Sequence, residues 1–138
     1  MQNLFKFDKL NFITAGMPIR TGKGSYPQAF DVLKEMNLDG MELEFVHGVR
    51  MSDDNRIFVK EMAKNFVITA HGPFYINLNS KEEEKIEASV QRIIDTAAVA
   101  AQAGAFSITY HAAFYMGGDK ETVFEQVKTQ TKRIIDIL

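Results

Sequence analysis

The stretch Val67-Ile68-Thr69-Ala70-His71-Gly72-Pro73-Phe74-Tyr75-Ile76-Asn77-Leu78-Asn79-Ser80 changes character twice. Val67 to Ala70 is a short apolar run that reads as a strand, and Gly72 to Asn79 reads as a loop. From Ser80, with Glu83 as its capping partner, a long helical pattern runs to Gly104. The same order recurs on both sides. Leu10 to Ala15 is followed by a Gly- and Pro-containing loop and a helix from about Tyr26 to Asn37, opened by Ser25 and Gln28 as a capping box. Met41 to Val46 is followed by a helix from about Asp53 to Asn65, capped by Ser52 or Asp53. Phe106 to Tyr110 leads through Gly117-Gly118 to a helix from Asp119, with Val123, Phe124, Val127, Ile134 and Ile135 as its apolar positions.

Strict alternation of strand and helix predicts an α/β fold with a parallel sheet and right-handed crossovers. A closed barrel of eight such (β/α) units needs ~250 residues. Four units in 138 residues therefore predict half of a TIM barrel, in one domain over residues 1–138. The last residues, Ile134-Ile135-Asp136-Ile137-Leu138, lie inside an apolar helical pattern without a stop signal, so the chain reads as the N-terminal part of a truncated barrel.

Composition narrows the chemistry. The chain is 46% hydrophobic and 25% charged, proportions that support a packed core. Its net charge of -2 disfavours a broadly basic nucleic-acid-coating surface, and any phosphate contact must be confined to a local site. Without cysteine, a metal would be held by imidazole and carboxylate. The first residues lack the basic and apolar regions of a signal peptide, and no apolar run approaches ~20 residues, so a cytoplasmic protein without membrane contact is expected.

All three histidines stand where a strand pattern runs out: His47 after Val46, His71 after Ala70 and His111 after Tyr110. In parallel α/β folds that end of the sheet carries ligands. Side-chain parity assigns Met41, Leu43 and Phe45 to the helices and leaves Glu42 and Glu44 on the other face. Thr69 and His71, then Ser107, Thr109 and His111, fall on that same face. This face is too polar for packing alone, and two imidazoles beside carboxylates suit a divalent metal such as zinc. A strand-end histidine is also a common hydrogen-bonded loop residue, and Glu42 and Glu44 also fit an exposed face or pairing with Arg or Lys. Arg20 and Lys23 in the first loop and Arg50 in the second crown the same end, where they could position a phosphate backbone or remain solvated. The run Thr21-Gly22-Lys23-Gly24-Ser25 lacks P-loop spacing, which excludes nucleoside triphosphate binding by that motif.

The segment from Thr69 to Leu78 resembles the third-strand motif of the endonuclease IV family, metal-dependent apurinic/apyrimidinic endonucleases built on a TIM barrel. His71 and Ile76-Asn77-Leu78 carry that resemblance. Ile108-Thr109-Tyr110-His111 is similar to the family's fourth-strand segment, and Glu42 to Val46 with Gly48-Val49-Arg50 is similar to its second-strand region. The resemblance implies that His71 and His111 ligate zinc in a three-metal cluster that binds the scissile phosphate and activates water. Glu44 would be a further ligand or acid/base group, and Arg20, Lys23, Arg50, Phe74 and Tyr75 would contact DNA containing abasic sites. Phe74 stands where the family usually has tyrosine, with Tyr75 beside it, and Ala112-Ala113 stands where it tends to have Pro-Gly. The family's remaining ligands, on later strands, are not in this chain. The expectation is the N-terminal half of a zinc-dependent phosphodiesterase, itself inactive. Its alternatives are a sugar isomerase or epimerase of the same superfamily, and a non-catalytic half barrel that forms homo-oligomers through its open edges.

Overall fold

Parallel pairing is visible in the registers themselves. The computed structural model describes residues 10–138. It contains β1 (Ile13–Ala15), α1 (Tyr26–Glu35), β2 (Gly40–Glu44), α2 (Asp53–Met62), β3 (Val67–His71), α3 (Glu83–Gln102), β4 (Ser107–Thr109) and α4 (Lys120–Ile137). The four strands form one parallel sheet in the order β1-β2-β3-β4. This is the four-unit, half-barrel α/β arrangement that the alternation predicts. A 3-10 turn over Ile19–Thr21, inside the first loop, has no counterpart in the sequence pattern.

One face of the sheet is covered by helices, and on the other, among the described residues, no helix packs: there Glu44 and Thr109 are exposed, Glu42, His71 and Ser107 half-buried and Thr69 buried. Met41, Leu43, Phe45, Ile68 and Ala70 point into the main core with Phe30, Leu33 and Val59 from the helices. Phe30 meets Phe58 and Phe66 edge-on, with ring centroids 5.9 and 5.1 Å apart, filling the space between α1, α2 and the start of β3. A second cluster under α3 and α4 joins Ile86, Val90, Ile93 and Ile134 to two loop residues, Ile76 and Leu78. Each such side chain contributes roughly 1.5–3 kcal/mol on burial. Gly40 is required by the sheet, because a Cβ there would lie 1.8 Å from the Val67 carbonyl oxygen.

The helix starts show where local chemistry suffices. Ser25 donates its backbone N–H to Gln28 Oε1 at 2.8 Å, Ser52 Oγ accepts from Asn55 N at 3.3 Å, and Asp119 Oδ1 accepts from Thr122 N at 3.0 Å. Ser80 behaves differently: its Oγ accepts from Glu82 N, two residues on, so the chain turns first and α3 begins only at Glu83. The first strand is also shorter than its apolar run. Phe12 N–H goes to the Asp39 carboxylate rather than to a backbone partner, and the ladder starts at Ile13. In α4 the pairs Val123-Phe124 and Ile134-Ile135 divide, because neighbours on a helix point ~100° apart. Val123 and Ile134 are buried, whereas Phe124 and Ile135 are exposed. Among the described residues no helix is long and apolar enough to cross a membrane.

Candidate metal centre

Register decides which polar residues share a level on the open face. Ala15, Glu42, Thr69 and Ser107 lie on one rung, and Glu44, His71 and Thr109 lie on the next toward the strand ends. On the first rung Thr69 Oγ1 donates to Glu42 Oε1 at 3.4 Å. On the second, Glu44 is exposed and His71 is half-buried.

His111 lies two residues beyond the β4 rung that matches His71, and the two imidazoles nevertheless meet. Their ring centroids are 5.3 Å apart and their planes are inclined at 53°. The Nδ1 of His71 is 2.8 Å from the Gly72 carbonyl oxygen. A carbonyl only accepts, so Nδ1 carries a proton, and in the neutral ring Nε2 is then the nitrogen with the free lone pair. Ligating histidines are commonly oriented by a hydrogen bond of this kind. Rings that share a tetrahedral ion at Zn–N of about 2.0–2.1 Å have centres about 5 Å apart, so the pair could hold one divalent cation. Among the described residues no group of three His, Asp or Glu is placed to hold a metal. Glu44, although level with His71, therefore does not complete a triad.

The remaining candidates separate by location. His47 stacks edge-on against Phe74 at 6.2 Å and Phe74 against Tyr75 at 5.2 Å, while Arg92 lies 4.7 Å from the centre of the Tyr75 ring. Phe74 and Tyr75 stay 54% and 40% exposed, although Arg92 covers one face of the Tyr75 ring. Arg20 pairs at 3.6 Å with Glu35 of α1 and lines a hollow of about 340 Å³ beside β1, with Thr14, Met17 and Met36. Lys23 and Arg50 are exposed on their loops.

The sequence pattern singles out neither Ser89 nor Asn79, and Asn77 only as part of the third-strand resemblance, with no role assigned to it. Buried Ser89 accepts the Asn77 N–H at 3.0 Å and donates to Lys85 O at 2.7 Å. Asn77 Oδ1 accepts from Asn79 N and Phe114 N, and Asn79 Nδ2 donates to Phe114 O at 2.9 Å. The one signal in the sequence was a polar residue, Asn77, between two apolar ones in a loop, which demands a partner for its side chain.

An open parallel half barrel with polar groups at its strand ends defines a class, and the chain belongs to the xylose isomerase-like TIM barrel family, whose description matches residues 30–138. The chain is 43% identical over 129 residues to an uncharacterized Methanocaldococcus jannaschii protein, MJ0133, covering 94% of this chain and 46% of that protein. A D-tagatose 3-epimerase-like protein superposes with a TM-score of 0.70 at 17% identity, over 93% of this chain and 48% of the other. Endonuclease IV from Thermus thermophilus gives 0.65 at 16% identity, over 91% and 47%. The chain thus spans about half the length of these relatives, and the structural likenesses establish the fold.

Proposed function

We propose that His71 and His111 supply two ligands to the metal centre of a zinc-dependent phosphodiesterase of endonuclease IV type, acting on DNA at abasic sites. The observation that carries this reading is the imidazole pair at 5.3 Å, with His71 oriented through Nδ1 by the Gly72 carbonyl, at a polar sheet end. Bound zinc would neutralise a phosphate and lower the pKa of an attacking water. The chain's own residues orient the ligand rings, and Phe74 and Tyr75, partly exposed next to His47 in the loop after β3, are the aromatic groups offered to the DNA. Arg20, Lys23 and Arg50 bring positive charge to the first two loops for the phosphate backbone. Two imidazoles do not assemble a metal cluster, so the 138-residue chain by itself is expected to cleave little or no DNA.

A second reading rests on Glu44, which is in register with His71. A carboxylate beside a metal-binding imidazole would serve as the acid/base group of a ketose epimerase. The two separate in a chimera of this chain with the part of the M. jannaschii relative that it does not span. Zinc-dependent cleavage of a duplex containing one abasic site, lost in His71→Ala, supports the nuclease. Ketohexose epimerisation without cleavage replaces it with the second reading. For the chain alone, calorimetry is expected to show zinc binding that weakens on acidification, as protons compete for ring nitrogen. Equal affinity in the His71→Ala/His111→Ala double variant would remove the site.

A further inference from the structure

We infer that Asn77 is a positioning residue that sets His111 against His71. The two histidines sit on different strands, and β4 is only Ser107–Thr109, so its ladder stops two residues short of His111. Something other than the sheet must hold that ring. The segment is tied to the β3 loop on both sides of His111. Before it, Gly72 N–H donates to Thr109 O at 2.8 Å, and the Gly72 carbonyl orients His71. After it, Leu78 N–H donates to Ala112 O at 2.9 Å. Asn77 Oδ1 accepts from Phe114 N at 3.2 Å, and Asn79 Nδ2 donates to Phe114 O.

Asn77 is the centre of this brace. Its carboxamide oxygen takes two backbone N–H groups, one from each loop, while its own N–H is anchored on buried Ser89 of α3. Ile76 and Leu78 on either side are fully buried, so the asparagine stands on a fixed base. A short side chain that bonds both loops from such a base converts the rigidity of α3 into a fixed separation of the two imidazoles. The role at a metal rests on the function proposed above; the geometric role does not.

The test uses the full chain with Asn77→Ala and Asn77→Asp. Aspartate retains an Oδ1 acceptor for both N–H groups, whereas alanine removes it. In the metal-free protein, NOE cross-peaks between the His71 and His111 rings are expected in the wild type, to be lost in Asn77→Ala and restored in Asn77→Asp. Zinc affinity should follow the cross-peaks, falling on the order of 10-fold or more in the alanine variant, as for other groups that orient ligands. Unchanged cross-peaks and affinity in a folded Asn77→Ala protein would overturn the inference. If that variant does not fold, Ser89→Ala, which removes the anchor of the Asn77 N–H on α3, must weaken the cross-peaks, and unchanged ones overturn the inference equally. A wild type that binds no zinc but shows the cross-peaks defeats the metal reading and leaves the brace standing.

Discussion

The loops that follow β1 and β3 leave the same end of the sheet, and both begin with a glycine and contain a proline, yet they are held very differently. After β3, Pro73, Ile76 and Leu78 are fully buried, and the backbone is bonded to α3 and to the loop after β4. After β1, Pro18 is buried and Met17 packs against the main core, but Ile19 is 98% exposed; among the described residues Gly16 N reaches Glu42 O, and the loop otherwise bonds to itself, Thr21 N to Pro18 O, Gly22 N to Ile19 O and Gly24 N to Thr21 O. The difference is one of neighbours. β3 lies between β2 and β4, so its loop is flanked by two others and roofed by α3, whereas β1 is an edge of the described sheet. A loop becomes a precise scaffold when apolar residues anchor it from below and neighbours satisfy its backbone; a glycine and a proline in it decide neither.

The strongest way to break that comparison is to truncate the anchor. Leu78→Ala is expected to destabilise the protein by about 2–5 kcal/mol, the usual cost of a large-to-small change at a fully buried site, while Ile19→Ala changes it by less than about 0.5 kcal/mol. Urea unfolding of both variants checks this, and similar midpoints would mean that the two loops are equally held. Ser89→Ala is next. It leaves the Asn77 N–H without its acceptor and is expected to cost about 1–3 kcal/mol, with amide exchange accelerating at Asn77 before it does in β2. On the β1 side the Arg20–Glu35 pair is 64% exposed at both side chains, so Arg20→Ala should shift stability by less than about 1 kcal/mol, and less still at high salt.

The smallest effect sharpens the comparison through pH. The Arg133 guanidinium bonds Glu87 across α3 and α4, with Nη2 2.6 Å from Oε2, and holds the Glu87 carboxyl below its ordinary range. A depressed folded value stabilises the protein above the unfolded value, and that stability is lost as pH falls through the folded one. Glu87→Gln should therefore flatten the acid limb of the stability profile slightly, with no change near neutrality in its slope. The pair lies beside the helices that carry the β3 loop, so a shift in exchange of the loop amides on acidification would show that the brace is coupled to it.

Much of the fold is legible in the sequence because its causes are local. The period-2 pattern of Met41, Leu43 and Phe45 marks the covered face, and Ser25 with Gln28, Ser52 and Asp119 mark three helix starts through contacts within a few residues. Ser80 departs from the capping-box pattern because its hydroxyl accepts from the Glu82 N–H, two residues on, rather than from the N–H of its expected capping partner Glu83. Phe124 and Ile135 fit a core pattern without joining the core for a similar reason: the helix period alone does not say how wide a strip its neighbour covers.

The sequence by itself determined the order of strands and helices, the face of β2 that turns to the helices, and the placing of His71 at a strand end, with His111 just beyond one. These follow from side-chain parity and helical period, which act over a few residues. Only the tertiary structure decided the register that sets Glu44 beside His71, the diagonal meeting of the two imidazoles, and the brace from Ser89 through Asn77 to Phe114. Each of these joins residues distant in the chain, and an asparagine finds its partner only after packing has brought the loops together.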